Sequence, residues 1–255
     1  MINVGEETNV RTALITGVSR RAGIGFAIAR RLREAGVDVF AHHHVAHDLQ
    51  RRWGGDDIGD VLAALGDPAH LGLDLVQPGA PEAVLEAAAA ALGHVDILVC
   101  NHASSGPDGG LGELTAPMLD HHYAVNTRAS LLLVQAFAAQ HDGRPGGRVV
   151  LMTSGQNLGP MSGELAYAAS KGALAAITAS LSDTLIDRGI TVNCVNPGPV
   201  DTGWPTPELR ASVEERMPLG WAQPDDPARL IAWLVSPDGR WVTGQVLNSE
   251  GGFRR

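Results

Sequence analysis

Short apolar runs alternate with longer helical patterns along almost the whole of this 255-residue chain. Strand-like runs mark 13–16, 37–41, 70–73, 97–101, 148–153, 191–195 and 245–248, and helical periodicity marks 24–35, 58–65, 81–92, 118–141, 164–188 and 227–235. Strands that alternate with helices form βαβ units, which build a parallel sheet covered on both faces. The pattern therefore predicts one doubly wound α/β domain over residues 1–255, with seven parallel strands.

Two segments depart from this alternation. Residues 42–57 are polar and contain four histidines, while residues 197–223 hold five prolines and follow the sixth predicted strand. The ligand crevice of an open α/β sheet lies beyond the carboxyl ends of its strands. We therefore interpret 197–223 as a substrate-covering segment, with a plain surface connection as the alternative.

Composition argues against several kinds of partner. The net charge of −9 disfavours nucleic acid and anionic membrane surfaces. No apolar run reaches the roughly 18–20 residues that span a bilayer, and the first residues lack a basic-then-apolar signal pattern. Cys100 and Cys194 each lie in an apolar strand-like run, so we interpret them as reduced core residues of a cytoplasmic protein.

A glycine-rich turn, TGVSRRAGIG at 16–25, joins the first predicted strand to the first predicted helix. Glycine lets the backbone turn tightly and approach a phosphate, and a helix N-terminus supplies free N–H groups and the positive end of the helix dipole. The position of this turn in the first βαβ unit predicts a dinucleotide-binding site.

Lys171 is the only lysine in the chain, which otherwise uses arginine for its basic side chains, and it follows Tyr167 by four residues. On a helix over 164–188 the two side chains share a face. A phenol has a pKa of about 10, and lowering it to about 7 takes roughly 4 kcal/mol. One unit charge about 4 Å away supplies about that much at an effective dielectric of 20. The pair is therefore a candidate acid/base site, or else an exposed lysine beside a packed tyrosine.

These motifs together resemble the short-chain dehydrogenase/reductase family. The matching pieces follow the family's order and spacing over nearly the whole chain: Thr16-Gly17…Gly23-Ile24-Gly25, Asn101-His102-Ala103-Ser104, Asn126, Ser154, Tyr167…Lys171, Pro197-Gly198, Thr202 and Gly251-Gly252. The resemblance implies a single Rossmann-type domain, with helices on both faces of a seven-stranded parallel sheet.

Two departures from the family pattern stand out. Five residues separate Gly17 from Gly23 where the family usually has three. Enoyl-acyl-carrier-protein reductases of the same superfamily have a turn of this longer length, but six residues separate their tyrosine and lysine, against three here. The catalytic signature thus favours an enzyme of carbonyl and alcohol groups. The second departure is His102-Ala103-Ser104 in place of Asn-Ala-Gly, which affects local geometry.

The resemblance implies a role for each catalytic candidate. Tyr167 would exchange a proton with the substrate oxygen, and Lys171 would lower the pKa of Tyr167 and bind the nicotinamide ribose. Ser154 would hydrogen-bond the substrate oxygen, and Asn126 would hold a water that links Lys171 to solvent. Without the family pattern, the residues alone favour Ser154 as a strand-end serine that caps a turn and Asn126 as a polar residue that bends a helix.

The cofactor is expected to be NADP(H) rather than NAD(H). The second predicted strand ends in Phe40-Ala41-His42-His43, without the acid that accepts from a ribose 2′-OH. Arg20 and Arg21 could meet a 2′-phosphate, or could simply be solvated. The full predicted set of cofactor contacts is Gly17, Ser19, Arg20, Arg21, Gly23, Ile24, Gly25, His42, Asp74, Leu75, Asn101, Ala103, Tyr167, Lys171, Pro197, Gly198, Val200 and Thr202.

No metal site is expected, because adjacent histidines on a strand end point to opposite sides and do not converge. The leading hypothesis is an NADP(H)-dependent oxidoreductase that acts on a ketone or secondary alcohol, with a 3-oxoacyl reductase as its first specific form. Its alternatives are a sugar, polyol or steroid dehydrogenase of the same family, or a non-catalytic dinucleotide-binding sensor. The resemblance also implies a homotetramer, or a dimer, that pairs the predicted helices 118–141 and 164–188.

Overall fold

A computed structural model of the chain describes residues 10–255. The predicted domain begins at residue 1, so its first nine residues lie outside the described part. The strands are β1 Thr12–Ile15, β2 Asp38–His43, β3 His70–Gly72, β4 Ile97–Cys100, β5 Gly147–Met152, β6 Ile190–Asn196 and β7 Val246–Asn248. The helices are α1 Ile24–Glu34, α2 Val45–Leu49, α3 Ile58–Ala63, α4 Ala80–Leu92, α5 Ala116–His122, α6 Ala129–Gln140, α7 Leu165–Leu185, α8 Pro207–Glu214 and α9 Asp225–Val235.

All seven strands belong to one parallel sheet with the order β3-β2-β1-β4-β5-β6-β7. The order reverses direction between β1 and β4, where the loops that follow the two strands diverge and leave a crevice. The predicted doubly wound α/β architecture is therefore confirmed. Every predicted strand is present, with ends that differ from the prediction by one or two residues.

The core forms two layers because side chains alternate across each strand. Ile97 and Val99 of β4 pack on one face with residues of α1, α3 and α9. Leu98 and Cys100 pack on the other face with residues of α4, α6 and α7. Both faces of the central strands are thus covered, as expected for parallel strands made of continuous apolar runs.

The long predicted helix 118–141 is helical almost throughout, but a π-helical turn interrupts its α-helical hydrogen bonding. α5 ends at His122, a π-helical segment runs over Tyr123–Arg128, and α6 begins at Ala129. Single π turns inside α-helices often mark functional sites. The two segments that departed from the alternation each contain a short helix, α2 in 42–57 and α8 in 197–223. None of the helices in residues 10–255 is long and apolar enough to cross a membrane.

Candidate active site

A cleft of about 1330 Å³ lies at the carboxyl ends of the strands. Its walls come from the glycine turn after β1, from the end of β2 and from the loops that follow β3, β4, β5 and β6. Parts of the segment 197–223 also line it. The cleft occupies the position where open α/β sheets bind their ligands.

The glycine turn is packed too tightly for side chains. Gly17 has φ of 76°, and a Cβ there would lie 2.9 Å from the Asn101 amide nitrogen. A Cβ on Gly25 would lie 2.4 Å from the carbonyl oxygen of Gly17. Asn101 ties the turn to the loop after β4, because its Nδ2 donates to the Thr16 carbonyl at 3.0 Å. These contacts hold the backbone of the turn against the end of the sheet.

The N-terminus of α1 opens toward the cleft. Gly23 is the N-cap residue and has no side chain that could cap the helix. Both Gly23 and Ile24 line the cleft. The first N–H groups of a helix lack intrahelical partners and sit at the positive end of its dipole. This cradle of glycines and N–H groups fits the pyrophosphate of a dinucleotide.

Tyr167 and Lys171 lie next to each other on α7 and both line the cleft. The ammonium of Lys171 lies 5.9 Å from the centroid of the Tyr167 ring. Lys171 is buried, with 1% of its surface exposed, and its Nζ donates to the Met152 carbonyl at 2.9 Å. The arrangement of phenol and ammonium on one helix face is the one that the sequence spacing predicts.

The pKa values of this pair differ from the expectation of an acidic phenol. Burial raises the pKa of Tyr167 to about 12, the nearby carboxylate of Glu164 acts in the same direction, and the Ser154 side chain lowers it by hydrogen bonding. Burial also lowers the pKa of Lys171 to about 8. Spacing along a helix predicts proximity but not desolvation, and here desolvation of the phenol is the larger effect.

The remaining catalytic candidates have different surroundings. Ser154 lies two residues after the end of β5 and lines the cleft. Asn126 lies in the π-helical segment, is fully buried and does not line the cleft. Its side chain accepts from the Ser104 N–H at 2.7 Å and donates to the Ser104 carbonyl at 3.0 Å and to Ser170 Oγ at 2.9 Å. In this structure the amide of Asn126 joins the loop after β4 to α7.

The structure separates the two arginines of the glycine turn. Arg20 lines the cleft, where it pairs with Asp48 at 3.0 Å, donates to the Thr202 carbonyl at 3.0 Å and stacks on Trp53. Arg21 instead faces Asp56 at 3.6 Å and borders a separate cavity of about 300 Å³. Arg21 therefore does not belong to the cleft, because neighbouring residues of the turn point to opposite sides.

His42 is the last residue but one of β2, lies in the cleft wall and is neutral near neutral pH. Burial lowers the pKa of His42 to about 4. Its Nε2 hydrogen-bonds the Leu73 carbonyl at 2.8 Å, which makes Nε2 the donor, and Nδ1 accepts the Gly17 N–H at 3.4 Å. His42 thus supports the glycine turn and presents no positive charge near neutral pH.

His102, which departs from the family pattern, is also buried and neutral, since burial lowers its pKa to about 3. Its Nε2 donates to the Val125 carbonyl at 3.0 Å, and its Nδ1 lies 2.7 Å from Thr16 Oγ1. The imidazole therefore links the end of β1 to the π-helical segment. A shorter asparagine would bridge these groups differently, which is the local change of geometry that the departure indicates.

Most of the predicted cofactor contacts meet in this cleft. Those that line it are Gly17, Ser19, Arg20, Gly23, Ile24, His42, Asp74, Leu75, Asn101, Ala103, Tyr167, Lys171, Pro197, Gly198, Val200 and Thr202. Arg21 and Gly25 do not, and Gly25 serves instead as the packing surface for the turn. Within residues 10–255 no group of three or more histidine, cysteine or acidic side chains converges on a metal position.

Several residues in the cleft or beside it belong to none of the sequence motifs. Arg51 and Trp53 of the irregular segment after α2 line it, as do Phe253 and Arg255 near the chain end. Asp108, in the loop after β4, hydrogen-bonds the backbone of Tyr167. The one sequence signal for Asp108 is that α7 begins at Glu164-Leu165, without a serine, threonine, aspartate or asparagine to cap it.

The sheet order, the glycine turn and the Tyr–Lys pair together define a nicotinamide-dinucleotide oxidoreductase. The family model described as enoyl-(acyl carrier protein) reductase matches residues 17–254. An uncharacterized oxidoreductase of Bacillus subtilis, YjdA, is 42% identical over 248 residues, which cover 96% of this chain and 97% of that protein.

Solved structures agree with this similarity. A short chain dehydrogenase from Burkholderia cenocepacia in complex with NADP is 34% identical, with a TM-score of 0.82 and coverage of 95% of this chain and 97% of that one. A blue fluorescent protein from a metagenomic library in complex with NADPH is 33% identical, with a TM-score of 0.83 and coverage of 98% and 100%. The chain belongs to the short-chain dehydrogenase/reductase family of oxidoreductases.

Proposed function

We propose that this enzyme transfers a hydride between NADP(H) and a ketone or secondary alcohol, with Tyr167 as its acid/base group. The observation that carries the proposal is the shared cleft: Ser154, Tyr167 and Lys171 line the same cavity as the uncapped N-terminus of α1. A phosphate cradle and a proton donor in one cavity are what a dinucleotide-dependent reduction of a carbonyl requires.

Each of these residues of the cleft has its own role in the proposed reaction. When bound, the nicotinamide supplies the hydride. Tyr167 donates its proton to the substrate oxygen in reduction and accepts it in oxidation, and Ser154 hydrogen-bonds the same oxygen as charge develops. Lys171 holds a positive charge beside the phenol, because its pKa of about 8 keeps most of it protonated at neutral pH. Gly23 and Ile24 would hold the pyrophosphate at the N-terminus of α1.

A preference for NADP(H) rests on the lack of an acidic residue at the end of β2 and on Arg20 of the glycine turn. His42 stands there where an acid would select NAD(H), and Arg20 lines the cleft beside it. Two similar solved proteins, from Burkholderia cenocepacia and from a metagenomic library, are described in complex with NADP and NADPH. The pairing of Arg20 with Asp48 means that a 2′-phosphate competes with a carboxylate for this guanidinium.

Arg20→Ala tests this preference against a matched control from the same turn. We expect the KM for NADPH to rise at least about tenfold and the KM for NADH to change little, because a charged hydrogen bond contributes about 1.5–3 kcal/mol. Arg21→Ala should leave both constants near wild type, since Arg21 faces the other cavity. Equal effects of Arg20→Ala on the KM values of both cofactors would mean that another residue binds the 2′-phosphate.

The substrate is proposed to be largely apolar. Met161, Trp204, Trp221 and Phe253 line the cleft, and Trp204 and Trp221 pack edge to face with ring centroids 6.1 Å apart. The two tryptophans belong to the segment 197–223, which supports its role as a substrate cover. An acyl or steroid-like ketone suits such a wall better than a sugar or polyol, and a 3-oxoacyl reductase remains the leading specific proposal.

The test of turnover is NADPH oxidation with a panel of ketones that spans 3-oxoacyl thioesters, steroids and sugars. Turnover is expected with apolar ketones and little with sugars. Tight NADPH binding without turnover of any carbonyl compound would favour the alternative of a non-catalytic sensor. The intact set of Ser154, Tyr167 and Lys171 speaks for turnover, because a sensor has no need to keep all three groups in its cleft.

The proposed assembly is a homotetramer, with a dimer as the alternative. Leu119 and Tyr123, on the helix that includes α5, are 42% and 53% exposed and could pair across subunits. Light scattering should give four times the chain mass of 26.7 kDa. A cytoplasmic location is proposed because both cysteines, Cys100 and Cys194, are free and buried.

A further inference from the structure

The helix that carries Tyr167 has an unusual beginning. Glu164 stands at the N-cap position of α7 and its side chain makes no cap hydrogen bond. The first N–H groups of any helix need partners from outside the helix. Here the partners come from the loop that follows β4, more than fifty residues earlier in the chain.

Residues 108 and 109 accept hydrogen bonds from the first three N–H groups of α7. The Leu165 N–H donates to the Gly109 carbonyl at 3.2 Å. The Ala166 and Tyr167 N–H groups donate to the two carboxylate oxygens of Asp108, at 3.0 Å and 2.7 Å. The next N–H group, that of Ala168, already bonds within the helix, to the Glu164 carbonyl at 2.9 Å. The loop therefore completes the N-terminus of α7.

The carboxylate of Asp108 is itself buried and hydrogen-bonded. Its side chain is 5% exposed, and it also accepts the N–H of Gly109 at 2.8 Å. Three N–H donors and the positive end of the α7 dipole stabilise a carboxylate that burial alone would disfavour. His122, at the end of α5, lies 3.8 Å from Asp108 and donates its Nε2–H to the Pro107 carbonyl at 3.0 Å.

His122 connects this cap to the phenol. Its ring is fully buried and meets the Tyr167 ring edge to face, with centroids 6.1 Å apart. Tyr167 is therefore held twice, through its backbone N–H by Asp108 of the loop after β4 and through its ring by His122 of α5. Lys171 lies on another side of the same ring.

We propose that Asp108 is a positioning residue for Tyr167, which sets the place of the phenol in the cleft by capping α7 from the loop after β4. The inference rests on the proposed function, in which Tyr167 exchanges the proton. A shift of the first turn of α7 would move the phenol relative to Ser154, and a misplacement of about 1 Å can cost about a hundredfold in rate. NADP(H) binding should depend little on Asp108, which does not line the cleft.

The first test measures the cap itself and needs no activity. Hydrogen–deuterium exchange of the amides at 165–168 is compared in wild type, Asp108→Ala and Asp120→Asn. Asp120 is a matched control, an exposed carboxylate on α5. We expect exchange at Ala166 and Tyr167 to be at least about tenfold faster in Asp108→Ala only, because their hydrogen-bond acceptor is gone. Unchanged exchange in this variant would overturn the proposal.

The second test measures kinetics in the full-length enzyme. Asp108→Ala should lower kcat about ten- to hundredfold while the Kd for NADPH stays within about twofold. Asp108→Asn should recover part of kcat, because its amide oxygen still accepts a hydrogen bond. Equal losses of kcat and of NADPH affinity would show a general structural role and overturn the proposal. A wild-type enzyme that reduces no carbonyl compound would contradict the proposed function instead. The hydrogen–deuterium exchange test would then still show whether Asp108 caps α7.

Discussion

At the scale of single residues, Lys171 is the side chain on which the proposed chemistry most depends. It is the only lysine in the chain, it is buried, and its ammonium donates to the Met152 carbonyl beside the Tyr167 ring. The compact ammonium has three donors on a flexible stem, whereas a guanidinium is planar and larger. Arginine at this position would satisfy the charge but not the geometry.

Lys171→Arg should therefore lower kcat at least about a hundredfold, the scale of a lost acid/base contribution. Steady-state NADPH oxidation measures the rate, and a thermal melt shows whether the variant is folded. Arg229→Lys is the matched control, because Arg229 is 66% exposed and far less constrained. A folded Lys171→Arg enzyme with the wild-type rate would remove the role assigned to the ammonium.

Tyr167 allows a direct measurement of its own ionisation. Tyr123 is the only other tyrosine, so in Tyr123→Phe the ultraviolet absorbance of tyrosinate reports Tyr167 alone. Without nucleotide, rapid pH-jump titration should give a pKa of about 12. An ordinary phenol in the unfolded chain has a pKa of about 10, so this group stabilises the fold below about pH 10 and loses that effect as pH rises toward 12. A midpoint at or below 10 would show that the ammonium outweighs burial.

At the scale of elements, the sequence predicts the positions of strands well and the interruption of the long helix poorly. The glycine turn and the seven apolar runs are local patterns, and all appear in the structure. The π-helical segment Tyr123–Arg128 depends on contacts between distant parts of the chain, such as Asn126 with Ser104 and Ser170. No periodicity in 118–141 encodes those contacts, so the sequence predicts the helix but not its π-helical turn.

The cap of α7 shows the same limit. The helix itself follows from its alanine-rich sequence, but the group that completes its N-terminus lies in another loop. Arg20 and Arg21 are a further example, since they are adjacent in sequence and only the direction of the turn decides which of them lines the cleft. The motifs of the site can thus be predicted from the sequence. The directions of the Arg20 and Arg21 side chains and the desolvation of the Tyr167 phenol cannot, because they depend on the folded chain.

The packing of α1 against the glycine turn leads to a prediction about Gly25. Gly25→Ala would push a methyl group to 2.4 Å from the Gly17 carbonyl oxygen. We expect a loss of about 1–3 kcal/mol in the free energy of unfolding and a rise of at least about tenfold in the KM for NADPH. Urea unfolding and steady-state kinetics measure the two effects.

Gly172→Ala is the control, because it also lies within a helix but meets only an ordinary contact, 3.7 Å from Gln156. It should be neutral or stabilising by up to about 1 kcal/mol, since alanine favours the helix. Similar losses in both variants would mean that the turn is no tighter than an ordinary helical position.

At the scale of the whole molecule, two buried histidines make the fold sensitive to acid. Burial lowers the pKa of His42 to about 4 and that of His102 to about 3. Their unfolded pKa is about 6.5, so the stability they contribute is present above about pH 6.5 and is lost as pH falls through the folded values. When the pH falls from about 7 to about 4.5, each of the two histidines should lower the free energy of unfolding by about 2–3 kcal/mol.

His102→Asn, which restores the residue usual in the family, should therefore reduce the acid-induced loss of unfolding free energy by about 2–3 kcal/mol. Urea unfolding at both pH values measures the difference. Gln245→Asn is the control, because Gln245 is exposed and carries no titratable group, so the loss should stay unchanged. A loss in His102→Asn as large as that in wild type would contradict the assignment of a neutral, buried imidazole at this position.

The central claim is that Tyr167 exchanges the proton at the end of a dinucleotide cleft, and the two tyrosines of the chain allow its most direct test. NADPH affinity and the rate of carbonyl reduction are measured in Tyr167→Phe and Tyr123→Phe. We expect Tyr167→Phe to lose about 10²–10⁴-fold in kcat with NADPH affinity nearly unchanged, and Tyr123→Phe, at a 53% exposed position, to resemble wild type. A Tyr167→Phe enzyme that keeps the wild-type kcat would contradict it.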